Sequence, residues 1–146
     1  MDIYNYLKKD HKIVADLMDN ILSTKNTDKR NTLFNDVKKE LLLHAESENA
    51  TFYAALKKHK EAAEIIKHAE KEHEEVKDYL AKLSRLSTEG EKWKEQFKEL
   101  KDTVTHHVEE EEGEIFEQAK DVLNKEQAQQ LVADMEAMKK TLKTKT

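Results

Sequence analysis

An all-α fold is what the sequence predicts, and three observations predict it. Proline is absent and glycine occurs only twice in 146 residues, so little in the chain interrupts a helix. Ala, Glu, Lys and Leu dominate, and these residues lose least on entering a helix. Apolar positions recur at alternating intervals of three and four, with no alternating strand pattern. Charged residues make up 39% of the chain and hydrophobic ones 37%, which leaves each helix one apolar stripe and a broad solvated face. The length suits a single domain, 1–146.

A first helix is expected over about 3–22, with Asp2 as its N-cap. Its seam reads Leu7, His11, Val14, Met18, Ile21, so a histidine stands in the apolar row. After a polar loop at 23–27, a second helix is expected over about 28–58. Its seam reads Phe34, Val37, Leu41, His44, Glu48, Thr51, Ala55, and here a histidine and a glutamate four apart occupy apolar positions. The break near His59 has no proline or glycine to mark it. It is placed there because one helix through both segments would be longer than globular helices run.

A third helix is expected over about 61–86, with the seam Ile66, Ala69, His73, Val76, Leu80, Leu83. His68 falls with Glu64, Lys71 and Glu75 on the solvated side. Thr88 and Glu91 have the spacing of a capping box for a fourth helix reaching about 123. That helix runs Trp93, Phe97, Leu100, Val104, His107, Glu111 along one row. The neighbouring frame, Glu99, Thr103, His106, Glu110, is polar throughout, so His107 and Glu111 are the inward pair and His106 is exposed or behind the ligands. Glu109, Glu110 and Glu112 read as a solvated face. Asn124 with Gln127 caps a fifth helix over about 125–142, whose apolar positions are Ala128, Val132, Met135 and Leu142 with Leu131 and Met138 beside them. It has no seam histidine and is expected to pack on the bundle.

The seam histidines repeat. His11 to His44 is 33 residues and His73 to His107 is 34; Glu48 and Glu111 lie 63 apart. Each half is a helix with one seam histidine followed by a helix with His-x-x-x-Glu, with Phe52-Tyr53 and Ile115-Phe116 at the same offset beyond. Two such hairpins in an antiparallel up-down four-helix bundle, spanning about 3–123, would bring all six side chains to one level of the core. A buried carboxylate without a partner costs several kcal/mol, roughly, so a shared cation is expected there. Six donors exceed what one structural zinc needs, and calcium and magnesium take little imidazole. Mixed nitrogen and carboxylate donors suit iron or manganese, and two ions sharing carboxylates explain the twofold repeat.

Other classes are argued against. No cysteine is present, which removes disulfides, thiolate sites and cysteine nucleophiles. A net charge of −5 gives no footprint for nucleic acid. No apolar run nears the roughly 20 residues that span a membrane. With no signal peptide in view, a cytoplasmic location is the expectation.

The ordered pattern His, His-x-x-x-Glu, His, His-x-x-x-Glu resembles the hemerythrin-like, HHE cation-binding family over about 7–123. The resemblance implies a four-helix bundle with an additional C-terminal helix. It implies two iron ions, bridged by carboxylate and by an oxo or hydroxo group, held by His11, His44, Glu48, His73, His107 and Glu111. It implies a small diatomic ligand or peroxide as partner, with a separate redox or signalling partner, in a sensing, scavenging or detoxifying role. The alternative is an iron-binding or storage module without turnover. Oxygen-carrying members have a second histidine on the third helix where this chain has Ala69, which argues against reversible carriage; Glu70, three residues before His73, approaches that position only in poorer phase. A metal-free protein with four buried imidazoles is expected to lose stability as pH falls through the histidine range.

Overall fold

The computed structural model describes residues 1–144, and every regular element among them is helical. Helix α1 is Ile3–Ser23, and the Asp2 side chain accepts from Asn5 N at 2.9 Å to cap it. Helix α2 occupies 27–57, starting under an Asn26 cap that accepts from Lys29 N at 3.0 Å. Helix α3 is Ala63–Ser84, after a turn in which His59 N donates to Leu56 O and Ala62 N to His59 O. Helix α4 occupies 91–122 and α5 is Lys125–Thr144. Helices α1 to α4 form the antiparallel bundle, and α5 lies against α1 and α2. No described helix is long and apolar enough to cross a membrane.

The capping box for α5 forms as expected: Gln127 N donates to Asn124 Oδ1 and Asn124 N to Gln127 Oε1, both at 2.8 Å. The one expected for α4 does not. Gly90 is the N-cap, and Thr88 is buried, donating to Asn31 Oδ1 at 2.6 Å. Its carbonyl accepts from Arg30 Nη1 at 2.8 Å, while Arg30 Nη2 donates to Thr24 O at 2.8 Å. Arg30 thus ties both loops at that end of the bundle, a long-range use of Thr88 that local spacing does not reveal.

Both long helices loosen to π-helix at the glutamates, over Asn49–Tyr53 directly after Glu48 and over Glu111–Ile115 starting on Glu111 itself. The extra residue per turn shifts the inward face. In α2 the core receives Phe52, Tyr53 and Leu56, all fully buried, rather than the expected Thr51 and Ala55, which are only partly covered. In α4 the row becomes Glu111, Ile115, Ala119, Leu123. The spacing His44, Glu48, Phe52, Leu56 is four throughout, and an α-helix cannot hold that on one face. Helix α5 differs in phase too: it buries Ala128, Leu131 and Met135, with Val132 half-buried.

The apolar core falls into two clusters. One gathers Ile3, Leu7, Phe52, Tyr53, Ile66, Ala69, Phe116 and the buried face of α5. The other gathers Val14, Met18, Phe34, Val37, Leu80, Trp93, Phe97 and Leu100. Trp93 stacks on Phe97 at 5.0 Å and meets the edge of Phe34 at 5.5 Å. Between the clusters, along each seam, sit the histidines and glutamates.

Candidate metal centre

All six seam residues expected as ligands come together, and all are buried. They form two donor sets. His11, His44, Glu48 and Glu111 make one; Glu48, His73, His107 and Glu111 make the other, with one donor atom per residue within 4.8 Å of the rest in each. Glu48 and Glu111 belong to both. The Nε2 atoms point inward: His11 lies 3.2 Å from Glu111 Oε1, His44 3.4 Å and His73 3.1 Å from Glu48 Oε1, and His107 3.3 Å from Glu111 Oε2. Bonds of about 2.0–2.2 Å to one ion hold neighbouring ligand atoms roughly 3 Å apart, so these separations fit shared cations.

The unpaired atoms say the same. Nε2 of His11, His44 and His73, both oxygens of Glu48 and Oε1 of Glu111 are buried without a hydrogen-bond partner. Native interiors rarely leave such groups orphaned, and here they face each other at one level.

Each imidazole is oriented from behind through Nδ1. His11 meets Glu112 Oε2 at 2.7 Å, His44 meets Asp10 Oδ2 at 3.1 Å, His73 meets Asn49 Oδ1 at 2.7 Å and His107 meets Glu72 Oε1 at 2.8 Å. An Nδ1–H donated outward leaves Nε2 bare for a metal, and such partners fix ring and tautomer together. Helix α5 reaches this layer as well: Lys139 Nζ lies 2.6 Å from the same Asp10 oxygen and 4.6 Å above the Tyr6 ring.

Tyr53 adds a phenolic oxygen on the His73/His107 side. Its hydroxyl donates to Glu111 Oε2 and lies 3.2 Å from His107 Nε2, and its ring stacks on His73 at 5.1 Å. Above the four histidines a cavity of about 30 Å3 is walled by Val14, Val76, Val104, Val108 and Leu41, room for a water-sized or diatomic molecule.

Without a cation the groups protect one another by charge. Burial alone would lower the pKa of His44, but the Glu48 charge and the Asp10 hydrogen bond carry it up to about 10. Against the same burial, Glu111 and Glu72 carry His107 up to about 10, and Glu111 raises His11. Burial opposes ionisation of Glu111, yet hydrogen bonds from His107 and His11 hold it well below the usual carboxylate range. For His11, His44 and His107 these directions run against the expectation of a histidine-driven acid loss, because each faces a carboxylate that favours its protonated form.

Glu112 and Glu110 depart from the solvated face expected of them, and Glu70 stays away from the centre. Glu112 is not merely a solvated carboxylate, since it orients His11. Glu70 turns to the surface and pairs with Lys57 at 3.0 Å, so it does not fill the vacancy left by Ala69. Glu110, read as solvated, faces His106 at 2.8 Å and His68 at 3.7 Å. Sequence periodicity does not mark Glu72, Asn49 or Lys139, and marks Tyr53 only as a member of the repeated pair beyond Glu48. Glu72 lies off the α3 seam, Asn49 and Tyr53 depend on the π-turn, and Lys139 depends on how α5 docks.

An antiparallel helical bundle whose buried layer joins four imidazoles through two shared carboxylates defines a cation-binding protein of the hemerythrin kind. The chain belongs to the hemerythrin HHE cation binding domain family, whose model matches residues 2–119. A DNA nickase from Nostoc sp. is 25% identical over 139 residues, covering 95% of this chain. This chain spans only 39% of that relative's length. The crystal structure of a hemerythrin HHE cation binding domain-containing protein from Mycobacterium kansasii superposes with a TM-score of 0.82 over 97% of this chain and 89% of that one. At 24% identity, that likeness is one of fold.

Proposed function

We propose that this chain is a non-haem di-iron protein whose centre binds or reacts with dioxygen, nitric oxide or peroxide. His11 and His44 would hold one ion and His73 and His107 the other, with Glu48 and Glu111 common to both. The observation that carries this reading is the pair of buried donor sets sharing two carboxylates, with bare Nε2 and carboxylate atoms aimed at one another. Four imidazoles and two carboxylates suit iron, which would supply one-electron redox chemistry at a small ligand.

The residues here do the rest. The small, valine-walled cavity limits the ligand to a few atoms. Tyr53 holds a proton against Glu111 Oε2, beside the second donor set, where an oxygen-rich ligand would meet a hydrogen-bond donor. Burial with the Glu111 and Glu48 charges raises the phenol well above its ordinary pKa, which keeps that proton in place. Asp10, Glu72, Glu112 and Asn49 hold the rings against rotation.

Ala69 and a surface-facing Glu70 leave α3 with one imidazole at this level, and that favours reaction with peroxide over reversible oxygen carriage. The test exposes reduced, iron-loaded protein to oxygen, removes the oxygen and follows the spectrum, with peroxide consumption assayed in parallel. Consumption, or oxidation that persists without added reductant, is the expected result. Full return to the reduced state with no peroxide consumed restores an oxygen carrier. Iron retained with no spectral response to either reagent leaves a storage module.

A further inference from the structure

The chain contains four His-x-x-x-Glu pairs, and only two serve the buried centre. The other two, His68 with Glu72 on α3 and His106 with Glu110 on α4, lie side by side on the outer face where these antiparallel helices meet. We infer that these four side chains form a separate surface site for one divalent cation of the zinc class.

The pairs are crossed. Glu72 Oε2 lies 3.6 Å from His68 Nε2 and 4.0 Å from His106 Nε2. Glu110 Oε1 lies 2.8 Å from His106 Nε2 and its Oε2 3.7 Å from His68 Nε2. A tetrahedral ion with bonds of about 2.0–2.1 Å sets its ligand atoms about 3.3 Å apart; Glu72 Oε2 and His68 Nε2 sit near that separation, and Glu110 turns one oxygen to each histidine. His68, Glu72 and Glu110 present donor atoms within 4.8 Å of one another. Two imidazoles and two carboxylates on adjacent helical turns give a nitrogen–oxygen set that suits zinc.

Ordinary surface ion pairing explains this cluster less well. An isolated pair four residues apart on a helix involves one carboxylate and one histidine. Here each carboxylate faces both histidines. Among the described residues, the ion pairs of Glu72 and Glu110 are all made with histidines. Glu72 is 8% exposed at its side chain, so much of this negative charge is withdrawn from water. The histidines are 59% and 64% exposed, which leaves the site open to solution. Glu72 turns its other oxygen to His107 Nδ1, so this site abuts the buried centre without sharing a ligand with it.

The experiment is equilibrium dialysis of iron-loaded protein against zinc, repeated with cobalt(II) for its visible spectrum. About one zinc per chain should bind beyond the iron, with a four-coordinate cobalt spectrum at the same stoichiometry. His68→Ala/His106→Ala should lose that ion and keep its iron. His59→Ala, which removes a histidine from the turn before α3, should bind as the parent does. Repeating the titration in Glu48→Gln/Glu111→Gln, where the buried centre is disabled, separates this site from the inner one: the zinc sensitive to His68 and His106 should persist. Zinc binding that is absent, or unchanged by the double alanine variant in either background, overturns the proposal.

Discussion

The two donor sets are twins in the sequence and differ in the fold. On the first side, His11 and His44 are backed by Glu112 and by Asp10, a carboxylate tied to Lys139 of α5. On the second, His73 and His107 are backed by a neutral amide, Asn49, and by the carboxylate of Glu72. The repeat of 63 residues maps Tyr53 onto Phe116, so only the second side receives a hydroxyl. Phe116 instead packs on Tyr4 at 5.1 Å, well inside the apolar cluster. A symmetric set of six side chains has therefore been given unequal surroundings, through the residues behind the rings and through Tyr53 at the inward atoms of the second side.

The largest expected effect removes what the two sides share. Glu48→Gln or Glu111→Gln should bring iron, measured by elemental analysis after reconstitution, from about two ions per chain to near zero. Loss of only one ion would mean that the carboxylates are not common to both sets.

Next comes a test of one side alone. His107→Ala should empty the second set, because a buried ligand and its Glu72 contact vanish together. His106→Ala should leave iron unchanged, since that ring is 64% exposed and faces Glu110. Equal iron loss in the two variants would show that the wrong frame of α4 had been assigned to the centre.

Tyr53→Phe makes the second side resemble the first. In metal-free protein it should cost about 1.5–3 kcal/mol of stability, the range for a hydrogen bond to a charged group, read from denaturant unfolding. Iron should be retained while the spectrum shifts. An unaltered spectrum would remove Tyr53 from the comparison.

Smaller effects belong to the groups behind the rings. Glu72→Gln should weaken iron binding by about 10–100-fold, and Lys139→Ala, acting only through Asp10, by less. A competition titration with a chelator ranks them; the reverse order would show that α5 governs the first side more strongly than the direct contact governs the second.

Acid and base titration of the metal-free protein gives the last and gentlest test. The raised pKa values of His44 and His107 contribute stability that is fully present below the unfolded value of about 6.5 and is lost as pH rises through about 10. The depressed carboxyls of Glu111 and Asp10 contribute stability present above about pH 4.5 and lost as pH falls below it. Thermal midpoints of the metal-free protein should change little from about pH 6.5 to about 5.5 and decline between about 7 and 10. Iron binding should tighten over that same alkaline range, because it must displace those protons. A midpoint that drops through pH 6.5 would restore the acid-sensitive picture.

The sequence by itself determined the helices and which histidines and glutamates meet in the core. Helical period is local, so the rows through His11, His44, His73 and His107 could be read without a fold, and a repeat in phase with four seams has one simple geometric solution. Periodicity also placed His107, not His106, in the core. It failed where one turn changes pitch: beyond Glu48 the π-turn rotates Phe52 and Tyr53 inward, and a fixed period of 3.6 places Thr51 there instead. Tertiary structure alone decided what stands behind the ligands. Glu72 and Glu112 look like members of a solvated charge face, and Lys139 like a surface lysine, until neighbouring helices bring an imidazole or Asp10 within hydrogen-bond reach. Those contacts join residues 35, 101 and 129 positions apart, and no local rule of helix periodicity extends over such a distance.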